Sequence, residues 1–232
     1  MRLLAAFMIM IGFAGFASAH ENDSAIEEIT VSSITRTGYL YQGAMYYNRP
    51  VQQSDVVVAW RNGLFVSIWT STGFNTTVGA DKEIDFILGY SKSVGKFNFS
   101  TDAAYFALPG IDIANLNGEV GVGPIFWKLQ AYAPVKSGGP VKGLVASTGA
   151  RHSFALGKRF GLDLEGLAKY DTGAFGYEEL WLAQGKGSLS FSLSEKLSLI
   201  GEVEWSKPLT NTNTDGRKRE VVAGAGISYS FR

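Results

Sequence analysis

Two pairs of acidic residues, each two positions apart, are the strongest candidates for chemistry in this sequence. Asp163 and Glu165 lie in GLDLEGLAKYD, and Glu202 and Glu204 lie in LSLIGEVEWSK. Two carboxyl groups on one face of a strand could work as a general acid and a general base. The other interpretation is a row of charges that are solvated or paired with lysines, and we favour it because ion-pair networks produce such clusters as well.

The two histidines offer little further chemistry. His20 lies near the N-terminus, and His152 alternates with Phe154 on the apolar side of a predicted strand, whereas Ser153 points to the other side. Adjacent strand residues cannot form the hydrogen-bonded Ser–His couple that a hydrolase needs. We therefore predict that His152 is an interfacial residue, with proton transfer as the alternative. We predict no catalytic residues and no enzymatic activity.

A calcium-loop-like segment and a basic triplet occur near the C-terminus. NTNTDG, at residues 211–216, follows the pattern D-x-[DN]-x-[DN]-G, but it begins with Asn and reaches Val222 where the calcium loop needs Glu. We predict a hydrophilic loop, no metal site and no cofactor. Arg217-Lys218-Arg219 could bind the phosphates of lipopolysaccharide or an anionic solute, although we favour a simple charged rim.

Strands with period-two alternation must position these residues. Apolar and polar side chains alternate along most of the chain, as expected of strands with two different faces. The predicted strands are residues 29–42, 55–60, 64–72, 83–93, 96–108, 118–123, 125–133, 144–155, 159–170, 180–192, 196–206 and 219–231. Whether the segments before and after Pro124 form one bent strand stays open.

The connections between these strands alternate in length. Short turns such as Arg61-Asn62-Gly63 alternate with longer links at 43–54, 73–82, 109–117, 134–143, 171–179 and 207–218. An up-and-down meander then places the short turns on one rim and the long loops on the other, as in outer-membrane barrels. We therefore predict an all-β fold, a transmembrane antiparallel up-and-down β-barrel of about 12 strands with short periplasmic turns and longer extracellular loops.

The first residues have the pattern of a secretory signal peptide. Met1-Arg2 precedes an apolar run over residues 3–16 and the small residues Ala17-Ser18-Ala19. The run is too short to span a membrane, because a spanning helix needs about 20 apolar residues. We expect cleavage after Ala19, a short periplasmic segment at 20–28, and a barrel from 29 to 232.

Composition excludes several classes of protein. The chain has no cysteine, so it is not a bacterial lipoprotein and uses no disulfides. Its formal net charge is zero, which gives no electrostatic case for nucleic-acid binding. Export of a cysteine-free barrel points to the bacterial outer membrane.

Aromatic residues predict that the apolar face contacts lipid. Tryptophans near strand ends are typical of the aromatic girdles at membrane interfaces. The predicted girdle comprises Trp60, Trp127, Trp181, Trp205, Tyr229 and Phe231. The last strand would close the ring against the first, and its alternating aromatics resemble the signal that the barrel-assembly machinery recognises, although the chain ends in Arg232 rather than phenylalanine.

The opposite face carries charges that we expect to line the lumen. They are Asp85, Asp102, Glu119, Lys128, Arg151, Asp163, Glu165, Lys169, Lys186, Glu202, Glu204 and Glu220. Eight of these are acidic and four are basic, which predicts a mild preference for cations if the pore is open. The alternative is a closed barrel that acts in binding, adhesion or membrane structure through its extracellular loops, because side chains can fill a barrel interior.

Three segments of the N-terminal half carry a set of matching motifs. They are RPVQQSDVVVAWRNGLFVSIWTST, EIDFILGYSKSVGKFNFSTDAAYFALPG and NGEVGVGPIFWKLQAY. Together they resemble the TorF-like porin family of uncharacterised outer-membrane barrels, over residues 29–135. The matching positions are Pro50-Val51-Gln52, Gly63, Trp69, Glu83, Asp85, Gly89-Tyr90, Tyr105, Pro109-Gly110 and Glu119. The resemblance implies a twelve-stranded barrel and passage of small solutes, and it offers no catalytic residues to carry over. As partners of an outer-membrane barrel we expect lipid and lipopolysaccharide.

Overall fold

Fourteen strands make up the part of the chain that the structure describes. The computed structural model describes residues 25–74, 82–108, 110–135, 141–174, 178–209 and 219–231, with the backbone alone for 178–181. The strands are β1 Ile26–Arg36, β2 Tyr39–Tyr41, β3 Ala44–Tyr47, β4 Val51–Trp60, β5 Leu64–Gly73, β6 Lys82–Val94, β7 Phe97–Leu108, β8 Ile111–Val122, β9 Ile125–Pro134, β10 Gly143–Ala155, β11 Phe160–Thr172, β12 Glu178–Ser192, β13 Leu197–Pro208 and β14 Glu220–Phe231.

Twelve of these strands form one closed antiparallel barrel. Each barrel strand pairs with its neighbour along the chain, and β1 closes the ring by pairing with both β4 and β14. The predicted fold class is therefore confirmed. Strands β2 and β3 pair only with each other. In the described part of the chain, no helix has the length and apolar character needed to cross a bilayer.

Solvent exposure alternates along the strands, as the period-two pattern predicts. On the outward side, Leu116, Trp127 and Ile227 are each about half exposed, whereas the interior residues Glu202 and Ser206 are almost fully buried. Apolar side chains therefore cover the outside of the barrel and many polar side chains lie inside it. A soluble barrel would show the opposite arrangement.

Tight turns join the strands at the periplasmic end. In the β4–β5 turn, Gly63 has a φ of 94° and the Asn62 side chain accepts a hydrogen bond of 3.0 Å from the Leu64 amide. Gly123 has a φ of 57°, a conformation that glycine adopts without strain. Residues 123–124 therefore reverse the chain, and the segments before and after Pro124 are two strands, β8 and β9.

The predicted long loop at 109–117 is wrong. Strand β8 begins at Ile111, so the link from β7 is only two residues long. Asn115 and Asn117 suggested a loop because asparagine favours turns. Both residues instead face the polar interior, where Asn117 donates a 2.6 Å hydrogen bond to Asp102. One of the extracellular connections is therefore as short as the periplasmic turns.

The predicted first strand, 29–42, is also wrong at its C-terminal end, because the observed strand β1 ends at Arg36. The chain leaves the barrel wall after Arg36, and β4 re-enters the wall at Val51, four residues before its predicted start. Between them, residues 39–47 fold back as a separate hairpin, which we call the inner hairpin. Tyr39 and Leu40 of this hairpin are buried. Residues 1–24 lie outside the described part, so cleavage after Ala19 stays a prediction; β1 begins at Ile26.

Candidate functional site

The inner hairpin crosses the barrel interior from wall to wall. The ring of Tyr39 lies 5.5 Å from the ring of Trp69 on β5. At the tip of the hairpin, the Ser206 hydroxyl on β13 donates a 2.7 Å hydrogen bond to the Gly43 carbonyl. Because β5 and β13 belong to different sides of the ring, the hairpin obstructs the space between them.

The tip of the inner hairpin is a two-residue turn with an unusual backbone. Gln42 and Gly43 have φ angles of 48° and 76°, and Gln42 is the one described non-glycine residue with a positive φ. Positive φ at both central residues is the requirement of a type I′ hairpin turn. A Cβ atom on Gly43 would lie 1.9 Å from a methyl carbon of Leu182, so the wall also leaves no room for a side chain there.

Polar contacts hold the strained Gln42 against the far wall. Its amide nitrogen donates to the Gln130 side-chain oxygen at 3.2 Å and to the Tyr132 hydroxyl at 2.5 Å. Its amide oxygen accepts a 2.9 Å hydrogen bond from the Lys169 ammonium group. Strained conformations of this kind persist where surrounding contacts fix them. The tip is therefore docked at a defined place on β9 and β11.

An apolar cluster narrows the extracellular half of the interior around this hairpin. Its buried members are Ala104, Phe106, Ile113, Tyr132, Val141, Val145 and Ala174. Tyr41 of the inner hairpin packs against it, with its ring 6.1 Å from that of Phe106. The hydrophobic effect therefore stabilises the inward position of the hairpin.

Tyr39 connects the base of the inner hairpin to two buried carboxyl groups. Glu83 and Asp85 on β6 are 4% and 7% exposed. Burial, with the nearby charges of these two residues, raises the pKa of the Tyr39 hydroxyl well above its usual range. The hydroxyl therefore stays protonated and can donate a hydrogen bond to Glu83.

Arg36 holds the carboxylate pair that sequence analysis considered as an acid–base dyad. Its guanidinium group forms salt bridges with Glu202 and, at 3.2 Å, with Glu204. Lys186 adds a 3.0 Å contact to Glu202, and Gln184 donates a hydrogen bond to Glu204. The pair is thus neutralised by cations rather than poised for proton transfer. Sequence analysis missed Arg36, although its period-two position on β1 places it on the same side as the lumen charges.

A cavity of about 720 Å³ lies at the periplasmic end. Arg151, Asp163, Glu165, Lys186 and Ser188 contribute its charged and polar lining. Strand β10 pairs with β9 only as far as Ala150, and the rest of β10 continues past the β8–β9 turn. For this reason the lining of the cavity includes residues on the outward-facing side of the wall. The structure therefore combines a cavity lined by charges of both signs at this end with a hairpin-filled extracellular half.

Strand register shows where the predicted lumen residues lie. All twelve share the side of the sheet on which Ser206 and Glu202 are buried: Asp85, Asp102, Glu119, Lys128, Arg151, Asp163, Glu165, Lys169, Lys186, Glu202, Glu204 and Glu220. Arg151 forms a salt bridge with Glu119, and its guanidinium carbon lies 4.8 Å from the centre of the Phe126 ring. Their role in solute passage stays a prediction.

Five of the six predicted girdle residues, all except Trp181, share the outward side of the sheet. Trp127 is 52% exposed and Trp205 39% exposed. The rings of Tyr229 and Phe231 meet edge to face at 4.6 Å. Outward-facing His152 meets Phe154 at 4.4 Å in the same geometry. Trp60 has the same parity, and the side chain of Trp181 lies outside the described residues; girdle function stays a prediction for all six.

The remaining sequence motifs fall largely outside the described residues. This is true of the calcium-loop-like segment at 211–216 and of Arg217 and Lys218. Arg219 is described and is exposed. Among the described residues, no group of three or more His, Cys, Asp or Glu side chains is placed to hold a metal ion.

Solved structures with a similar fold are outer-membrane barrels. The NanC porin matches with a TM-score of 0.56 and 12% identity over 87% of this chain and 98% of that chain. The KdgM porin in complex with disordered oligogalacturonate matches at 0.54 and 13% over 88% and 99%. Omp33 of Acinetobacter baumannii matches at 0.54 and 9% over 90% and 100%.

Sequence comparison adds no family to this similarity in fold. No protein-family model matches the chain, and no curated protein matches it. At identities this low, the similarity to porins shows the architecture alone. The resemblance to the TorF-like porin family therefore stays a prediction.

Proposed function

We propose that this protein is an outer-membrane channel of the porin type that lets small solutes diffuse across the membrane. The observation that carries the proposal is the cavity of about 720 Å³, with a charged lining, at the periplasmic end of a closed barrel whose outer surface is apolar. The similarity in fold to the NanC and KdgM porins supports it. Membership of the TorF-like family is part of this proposal.

In this proposal, the inner hairpin determines whether a solute can pass through the barrel. It lies between the extracellular rim and the periplasmic cavity; the chain joins it to the wall after Arg36 and before Val51, and non-covalent contacts of Gln42 and Gly43 hold its tip. A solute would have to pass the hairpin or displace it. The channel is therefore narrow, and movement of one short element would widen it.

Mild cation preference is the finer part of the proposal. Glu202 and Glu204 contribute little to it, because Arg36 and Lys186 neutralise them. Asp163 and Glu165 line the periplasmic cavity, where an ion passing the barrel would meet them. These two residues are the better candidates for ion selectivity.

Liposome swelling tests the proposal of passage. Proteoliposomes that contain the refolded chain are diluted into solutions of sugars of increasing size. Swelling with small sugars that stops above a size limit is the expected result. Correct insertion, shown by protease protection, without swelling for any solute or any ionic current would contradict the channel.

A selectivity measurement tests the finer proposal. Replacing both carboxylates in the variant D163N/E165Q should lower the ratio of cation to anion permeability, measured as the reversal potential across a salt gradient. The variant S188A, on the same cavity lining, is the control and should leave the potential unchanged. An unchanged potential in D163N/E165Q would remove these residues from the selectivity assignment.

A closed barrel that binds partners through its extracellular loops is the second candidate. The filling of the extracellular half by the inner hairpin and the apolar cluster favours it. In either case we propose export by the signal peptide, contact with lipopolysaccharide, and recognition of β14 by the barrel-assembly machinery.

A further inference from the structure

Six uncharged polar side chains form a patch on the outside of the barrel. They are Ser33 and Thr35 of β1, Gln52 and Ser54 of β4, and Thr70 and Thr72 of β5, and we call them the polar patch. Their side is the outward one, because Val31, Val56 and Ile68, each two positions away on the same strands, are 37%, 41% and 46% exposed. A polar patch on this surface is unexpected in a barrel that faces lipid.

Strand register places Ser33 and Ser54 of the polar patch at the depth of the hydrocarbon. A row of directly paired outward residues crosses the wall from the periplasmic rim to the extracellular rim. In order, it is Phe160, Phe191, Leu199, Ile227, Ser33, Ser54, Thr70, Ile84, Ala107 and Asp112. Each step climbs about 3 Å when strands tilt by about 40°. Ser33 and Ser54 thus lie about 12 to 15 Å above the periplasmic rim, near the middle of an apolar band about 25 Å tall.

The neighbours of the polar patch are apolar at Ser33, Thr35 and Thr70, whereas Thr72 at its extracellular edge pairs with Lys82. Thr35 pairs with Ala225 of β14, and Thr70 pairs with Ile84 of β6. The polar patch therefore reaches from the extracellular edge of the wall, at Thr72, down into the lipid-facing surface, where Ser33 and Thr70 have apolar neighbours. Hydroxyl and amide groups in hydrocarbon are unfavourable unless they are paired or covered.

Hydrogen bonds within the polar patch pair some of these hydroxyl and amide groups with each other. Thr35 donates to the Gln52 side-chain oxygen at 2.6 Å, and the Gln52 amide donates to Ser33 at 2.7 Å. The hydroxyls of Ser33 and Ser54 lie 2.8 Å apart. The groups are therefore prearranged in one chain, and each hydroxyl can still accept from, or donate to, another molecule.

We propose that the polar patch is the surface through which two copies of this chain pair side by side in the membrane. The patch carries no charge, and its hydroxyl and amide groups both donate and accept hydrogen bonds, so it is complementary to itself. Self-complementarity is what a two-fold contact requires. Small neighbours such as Ala223 and Ala225 let the two walls approach, and polar groups that bond between membrane segments strengthen such contacts.

Cysteine cross-linking in outer membranes tests this proposal, because the chain has no cysteine of its own. Single cysteines are placed in the patch, as Ser33→Cys, Ser54→Cys and Thr70→Cys. The control is Leu129→Cys on β9, an outward position that is 52% exposed on the opposite side of the ring. Oxidation should yield a covalent dimer from at least one patch variant and none above background from the control.

A second variant separates pairing from a direct interaction with lipid. S33A/Q52L/S54A removes the hydrogen-bonded centre of the polar patch, Ser33, Gln52 and Ser54, without touching the interior. Loss of the dimer, measured as mass by light scattering in mild detergent, is the expected result. A monomer in the wild-type chain, equal cross-linking of Leu129→Cys, or an adduct with a different protein in place of the dimer would overturn the proposal.

Discussion

Arg36 is the residue on which the charge balance of the interior depends most. Its side chain is 11% exposed and contacts two carboxylates whose side chains are 5% and 10% exposed. Without Arg36, Glu204 loses its salt bridge and Glu202 keeps only the contact with Lys186. A buried charge that loses its partner costs more than the pairing itself contributes.

The variant Arg36→Gln should therefore lower the free energy of unfolding by about 3 kcal/mol. Urea titration in detergent, followed by the gel shift between folded and unfolded barrel, measures the change. The matched control R36M/E202Q/E204Q removes all three charges and should recover most of the stability. An unchanged midpoint in Arg36→Gln would show that the carboxylates are solvated without it.

The side of the sheet on which a residue lies could be predicted from the sequence, but the residues that its side chain contacts could not. Period-two parity was enough to assign Glu202 and Glu204 to one side of β13. Their contacts with Arg36 join residues from distant parts of the chain, and nothing local in the sequence specifies them. The same holds for Gln42, whose partners Gln130 and Lys169 lie on β9 and β11.

At the scale of elements, the inner hairpin is the feature that sequence analysis missed. Tyr39 and Tyr41 continue the alternation of β1, so the pattern predicted one strand to Gln42. The signal for a break was Gln42-Gly43, a pair with glycine at the second position of a possible I′ turn. Alternation identified the other strands because each has one apolar face towards lipid and one polar face inside.

Gly43→Ala should release the inner hairpin from the wall. The substitution combines backbone strain of about 1 to 2 kcal/mol with a clash against Leu182. We expect faster cleavage of the hairpin by protease and a larger ionic current. Gly95→Ala is the control, because Gly95 also has a positive φ, 59°, but a Cβ there would meet nothing within 4 Å. Equal effects of the two variants would contradict a docked tip.

At the scale of the molecule, closure between β1 and β14 makes the barrel. Eight residue pairs join these strands. The fit is tight at Gly226, where a Cβ would lie 2.1 Å from the Ser33 carbonyl oxygen. The prediction of closure followed from the alternating last strand, whereas this close approach depends on backbone positions that a sequence pattern does not give.

Gly226→Ala should weaken the seam and lower the free energy of unfolding by about 1 to 3 kcal/mol, as overpacking does. Gly201→Ala is the matched control on β13, where an added Cβ would meet nothing within 4 Å. Heat-induced unfolding on a gel compares the two. A control variant as unstable as Gly226→Ala would show that the loss comes from strand glycines in general rather than from the seam.

The central claim is that a solute pathway runs through the barrel and that the inner hairpin obstructs it. Arg36 pairs with Val51 across β1 and β4, so residues 37–50 can be replaced by Asn-Gly, which forms a tight hairpin turn. Single-channel current across a planar bilayer is measured for both chains. We predict small steps for the wild-type chain and larger, steadier steps for the shortened one. A shortened chain that inserts and folds yet carries no more current than the wild type would contradict the claim.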